Sequence, residues 1–179
     1  ILYVKALRGQ FSAFTTDRQL HAYLKVIVFA TLFVTLSRLD VETRSLGEVL
    51  RTSCFQVVSI MTTTGFTTDD YNYWAPLAQF GIFVLMFIGG CTGSTSGSIK
   101  IFRFQVIDTF VMHHMKQFVF PRGVFTPKYN DQILDSSILM SVFVFLAIFI
   151  LTLLVSTAVA CASGLDLLTG FSGALASIS

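Results

Sequence analysis

The sequence predicts an all-α integral membrane protein, and three observations predict it. Of 179 residues, 54% are hydrophobic and only 12% charged, where a soluble domain carries roughly a quarter charged residues. The charges fall in clusters with long uncharged runs between them. Thr52–Ile99 contains only Asp69 and Asp70, and Ser136–Leu165 contains none. Two stretches rich in Gly, Ser and Thr, Thr62–Phe66 and Gly89–Ser98, interrupt the apolar segments at membrane depth. Irregular backbone at that depth is tolerated only where it is buried in protein or lines a water-filled cavity, so these stretches point to a pore.

A helix needs about 20 residues to cross the hydrocarbon core. Spans over 20–38, 75–100 and 135–162 meet that length. Residues 1–25 and 100–135 together hold nine Lys and Arg, and 38–74 hold three. The bias of basic residues toward the cytoplasmic side makes residues 1–19 and about 105–132 cytoplasmic, and about 39–74 periplasmic. Tyr71, Tyr73 and Trp74 then fall at the outer interface, where aromatic belts are expected.

Leu46–Met61 has 16 residues and carries Glu48 and Arg51, too short and too charged to span. It leaves from the outer side and returns there at Asp69, which predicts a re-entrant helix. Its C-terminus would bring about four free carbonyls and the negative end of the helix dipole to the membrane centre. Thr62-Thr63-Thr64-Gly65 is expected to lead back out as an extended strand, and carbonyls of such a strand replace the hydration shell of a cation. Asp69 and Asp70 lie at the outer mouth, where they either raise the local cation concentration or simply form a turn.

Gly89, Gly93 and Gly97 recur every four residues, a spacing that also suits close helix packing. Gly90 and five Ser/Thr residues share the stretch, and that much Gly and Ser at mid-membrane favours a broken helix. Lys100 and Arg103 follow at its cytoplasmic end, where they anchor the next helix by snorkelling or repel cations. The stretch is no nucleotide-binding loop, because Ser98 and Ile99 separate the last Gly from Lys100.

Several function classes lose support. A net charge of +2 gives no argument for nucleic acid. Cys54, Cys91 and Cys161 have no ligand spacing and read as buried, inert thiols. His113 and His114 are adjacent and point about 100° apart on a helix, a poor metal pair. No cluster of acidic, His or Lys residues falls at membrane depth to support an enzyme. A secondary transporter with broken helices at the midplane is the alternative to a pore. It lacks the intramembrane ionisable residue that ion coupling usually needs.

Together, T-T-T-G-F-T-T-D-D-Y at Thr62–Tyr71 and G-G-C-T-G-S-T-S-G-S-I-K at Gly89–Lys100 resemble the TrkH/KtrB/HKT superfamily of K⁺ transporters, most closely its bacterial TrkH branch. The resemblance implies M1–pore helix–M2 repeats of potassium-channel type, four of them around one pseudo-fourfold pore. Residues 20–117 would form a complete third repeat, 118–132 a cytoplasmic connector, and 133–179 the M1 and the start of the pore helix of the fourth. Residues 1–19 would end the preceding repeat. The chain starts at Ile1 without Met and ends at Ser179 within an apolar segment, so a fragment of a larger protein is expected.

The resemblance further implies a role for each motif. Thr63, Thr64 and Gly65, with Thr62 and Phe66 at the edges, would supply one quarter of a K⁺ filter. Gly89, Gly90, Gly93, Ser94, Thr95, Ser96, Gly97 and Ser98 would form an intramembrane gate loop below it. The transported ion would be K⁺, with no organic cofactor, in a multi-pass protein of the bacterial inner membrane. Partners would be the other pore repeats, a second copy in a homodimer, a cytoplasmic ring of nucleotide-binding regulatory subunits, and the lipid bilayer.

Overall fold

The computed structural model describes residues 17–39, 44–119, 128–129, 132–133 and 136–179. Most of the segment assigned to the preceding repeat, and most of the 118–132 connector, lie outside the described residues. The chain divides into two compact units, residues 1–100 with 175–179, and residues 101–174.

Among the described residues, the first unit opens with helix α1 (Arg18–Leu39). Asp17 caps it, its carboxylate accepting the Gln19 N–H at 2.8 Å, one of the donors that a helix start leaves without a partner. Helix α2 (Leu46–Met61) follows, with Glu48 in its first turn, where the helix dipole favours an acid. At about 1.5 Å per residue α2 is roughly 24 Å long, short of a hydrocarbon core of about 30 Å. Val49, Ser53, Gln56, Val57 and Met61 form its buried face, a helical spacing.

After a 3₁₀ turn at Tyr71–Tyr73 comes helix α3 (Pro76–Leu85), with Pro76 in its first turn, where the missing N–H costs nothing. The expected span over 75–100 is therefore interrupted. Its helix is ten residues long, about 15 Å, and covers half a bilayer. Strands β1 (Ile88–Gly89) and β2 (Ile99–Lys100) then pair in parallel, Ile88 with Ile99 and Gly89 with Lys100. Ala30 and Val34 from α1, Val57 and Met61 from α2, and Trp74, Ala78, Ile82 and Leu85 form one core cluster. This core clamps the re-entrant helix between a full span and a half span.

The second unit holds α4 (Ile101–Val119), the antiparallel pair β3 (Lys128–Tyr129) and β4 (Gln132–Ile133), α5 (Ser136–Ala162) and most of α6 (Leu167–Ile178). The Tyr129 hydroxyl donates to Gln105 Oε1 at 2.7 Å. The Arg103 guanidinium lies 3.6 Å from the centre of the Phe145 ring. Among the described residues, Arg18–Leu39 and Ser137–Ala162 are long and apolar enough to cross a membrane, with mean hydropathy 1.7 and 3.1. Phe29 and Leu36 on α1, and Ile148, Leu151, Leu154 and Val159 on α5, are exposed, as faces turned to lipid would be.

Candidate filter and intramembrane loop

The candidate filter segment starts where α2 stops. Thr62 closes the helix at φ −86° and ψ −1°. Thr63 then sits at φ +55° and Gly65 at φ +77°, while Thr64 does not take positive φ. The sign of φ therefore alternates over four residues, and the expected extended strand is not extended. The cause lies in the hydrogen bonds. The N–H groups of Thr62, Thr63 and Thr64 turn back to the carbonyls of Val58, Ile60 and Ser59 at 2.9–3.0 Å, and that of Gly65 reaches Ser59 O at 3.5 Å.

Two consequences follow. The last carbonyls of α2, expected to be free, are not, because the N–H groups of Thr62, Thr63 and Thr64 occupy three of them. In a planar trans peptide, moreover, each C=O opposes the following N–H. The N–H groups of Thr63, Thr64 and Gly65 point at the helix, so the carbonyls of Thr62, Thr63 and Thr64 point away from it. Among the described residues, no hydrogen bond engages the carbonyls of Thr62, Thr63, Thr64 or Gly65. Phe66 ends the run, its carbonyl accepting the Ser59 hydroxyl at 2.6 Å. Ser59 is buried and binds the segment on both sides of its turn. Sequence reading gave it no role, since one Ser within a re-entrant helix carries no pattern.

Thr63 carries strain that Gly65 does not. A β-branched residue at positive φ is an outlier, costing of order 1–3 kcal/mol and found chiefly at functional sites. At Gly65 no atom lies within 4 Å of where a Cβ would stand. Its requirement is conformational, not steric.

Asp69 and Asp70 do different work. Asp69 Oδ2 accepts from Arg44 at 2.8 Å, Arg38 at 3.0 Å and Trp74 Nε1 at 3.3 Å. Arg38 is fully buried, donates to Thr52 Oγ1 and Ser53 Oγ at 2.9 and 3.0 Å, and stacks 3.7 Å over the Trp74 ring. Burial opposes the charge on Asp69, but the bonds from Arg44 and Trp74 and the two guanidinium charges outweigh it. They hold the carboxyl below the usual carboxylate range. Asp70 instead caps the 3₁₀ turn, accepting from Asn72 N–H at 3.0 Å and Asn72 Nδ2 at 2.7 Å. Trp74, expected in an interfacial belt, is buried, whereas Tyr71 and Tyr73 are exposed. Nothing local links Arg38 to Asp69 in the sequence, because the two lie 31 residues apart.

Residues Gly89–Ser98 form a closed loop with no helix, so their spacing of four does not make a packing stripe. Gly89 is required because a Cβ there would run into the Gly97 carbonyl across the β1–β2 pair. Ser98, at φ +55°, fixes the loop's base by donating to Met86 O at 2.7 Å, and Ile99 N–H donates to Phe87 O at 3.1 Å. Inside, Ser96 Oγ accepts the Gly90 N–H at 2.9 Å and lies 2.7 Å from Ser94 Oγ. Ser94 also donates to Cys91 O at 2.7 Å, and Gly93 turns the tip at φ +92°. Thr95 is exposed.

Two contacts tie the loop to its surroundings. Thr92 N–H donates to Gln19 Oε1 on α1 at 3.1 Å. The Lys100 ammonium donates to Ser94 O at 3.1 Å, which ties the loop to the start of α4. A Cβ at Gly97 would collide with the backbone of Ser179, so the loop abuts the C-terminal end of α6. Of the three thiols expected to be buried, Cys54 is exposed on α2 and Cys91 and Cys161 are half-buried.

Residues 19–172 match the family model described as TrkH, cation transport protein. The chain is 36% identical over 178 residues to the Trk system potassium uptake protein TrkI of Halomonas elongata, covering 99% of this chain and 36% of that one. It is 34% identical over 124 residues to the Trk system potassium uptake protein TrkH of Escherichia coli, covering 69% and 26%. Its structure is similar to the crystal structure of the potassium transporter TrkH from Vibrio parahaemolyticus, with a TM-score of 0.85 at 29% identity over 93% of this chain and 36% of the other. The matched part of the chain thus spans between about a quarter and about a third of the length of these relatives.

Proposed function

The chain belongs to the TrkH family of cation transport proteins, and on that premise we propose that it supplies part of the pore of a potassium uptake system in the bacterial inner membrane. Thr62, Thr63, Thr64 and Gly65 line one side of the ion path with backbone carbonyls, which take the place of water around K⁺. The observation that carries this reading is the run of four carbonyls with no hydrogen-bond partner among the described residues, three of them aimed away from α2 by N–H groups bound to its end. Such a set is held open before an ion arrives, so little rearrangement opposes binding.

One segment surrounds only part of an ion. Other repeats of the same protein therefore complete the cage. The loop Gly89–Ser98 acts as the gate on the same path. Its support is a cross-linked Ser network at mid-membrane, where an unsatisfied backbone group costs several kcal/mol, so the loop holds a defined shape.

The experiment is K⁺ uptake by the whole transporter in a host that lacks its own K⁺ transport, comparing wild type with Gly65→Ser. Wild type is expected to restore growth at low K⁺. Gly65→Ser forces a side chain into the left-handed region and should lower the K⁺/Na⁺ permeability ratio with the protein still present in the membrane. An unchanged ratio removes Thr62–Gly65 from the filter.

A further inference from the structure

Asp69 stands four residues past Gly65, in the irregular segment that follows Thr62–Phe66, and its carboxylate meets the buried Arg38. That one guanidinium touches three parts of the unit. It donates to Thr52 and Ser53 of α2, it donates to Asp69 in the segment after Phe66, and it stacks on Trp74 just before α3. Arg44 adds a second donor to the same carboxylate oxygen at 2.8 Å from a half-exposed side chain. The segment Thr62–Phe66 is already fixed to α2 by Ser59, through Thr64 N–H and the Phe66 carbonyl. Only Thr67 and Thr68 separate Phe66 from Asp69, and two residues leave little slack between these anchors.

Resting on the pore reading above, we propose that Arg38 and Asp69 are positioning residues for the filter, with Asp69 acting on ion selectivity through the placement of Thr62–Gly65 and not through its charge on passing ions. Two guanidinium groups at 2.8–3.0 Å offset the carboxylate, so it presents no free negative charge at the outer mouth. The two mechanisms also differ in what they change. K⁺ and Na⁺ carry the same charge, so a field from Asp69 would enrich both alike and leave their ratio untouched. Carbonyl placement discriminates between ions of different size and acts on the ratio.

The test is Asp69→Asn in the whole transporter, reconstituted in liposomes, with K⁺ and Na⁺ flux measured separately. The amide keeps the shape and removes the charge that fixes Arg38. The K⁺/Na⁺ ratio is expected to fall severalfold. Equal loss of both fluxes at an unchanged ratio overturns the proposal in favour of simple charge attraction, and two unchanged fluxes overturn it outright. Should Asp69→Asn fail to reach the membrane, Arg44→Gln removes only the half-exposed donor. It is expected to lower the ratio in the same direction by a smaller factor, and no change there overturns the proposal as well. A wild-type protein that does not prefer K⁺ overturns the underlying pore reading instead, a result distinct from every mutant outcome.

Discussion

Thr63 and Gly65 both take positive φ, yet only Gly65 announces it in the sequence. A Gly at the tip of a re-entrant segment signals backbone freedom, whereas a Thr at φ +55° breaks the residue's own preference and is visible only once the N–H bonds to α2 are known. Arg38 reads as an ordinary charge at the end of a span, because burial beneath Trp74 and pairing with Asp69 are tertiary facts. The pairing has a pH consequence. The folded-state pKa of Asp69 is lowered, so its contribution is fully present above the unfolded carboxylate value of about 4. It is lost only as pH falls through the still lower folded value. Selectivity measured against external pH should stay flat from pH 7 to pH 5 and deteriorate only below about pH 4. A decline centred near pH 6 would assign the sensitivity to some other group.

At the scale of elements, the re-entrant α2 was legible because 16 residues with two charges cannot span. The break after α3 was legible because Gly and Ser at mid-membrane disfavour helix. The shape of the loop was not. A two-residue parallel pair between Ile88–Gly89 and Ile99–Lys100 has no periodicity to read, and the Gly spacing that suggested helix packing instead allows two backbones to approach. Ser96 joins the loop's two arms. Ser96→Ala removes the bond from Gly90 N–H and the contact with Ser94, each worth about 1 kcal/mol, and leaves a buried N–H unpaired. If the loop gates the path, this variant should raise the basal K⁺ flux while leaving the K⁺/Na⁺ ratio as in wild type. A lower ratio with the same flux would place the loop in selection instead of gating.

At the scale of the molecule, the carbonyls of Thr62, Thr63 and Thr64 all point away from α2, and the surface beside them is apolar and exposed. Leu50, Cys54, Phe55, Val58 and Phe66 are exposed and border a groove of about 680 Å³ along α2 that runs to Thr62 and Thr64. Exposed apolar residues on α1 and α5 suit lipid, but this groove adjoins the carbonyls that would face an ion and water. A complete cage needs carbonyls from several directions, and a K⁺ contacted on one side alone would keep most of its water and gain no selectivity. Residues 1–179 reconstituted alone in liposomes are therefore expected to carry no selective K⁺ flux, whereas the whole transporter under the same conditions carries it. Selective flux from the isolated segment would mean that copies of this chain assemble a cage by themselves, and the arrangement of distinct repeats in one protein would have to be abandoned.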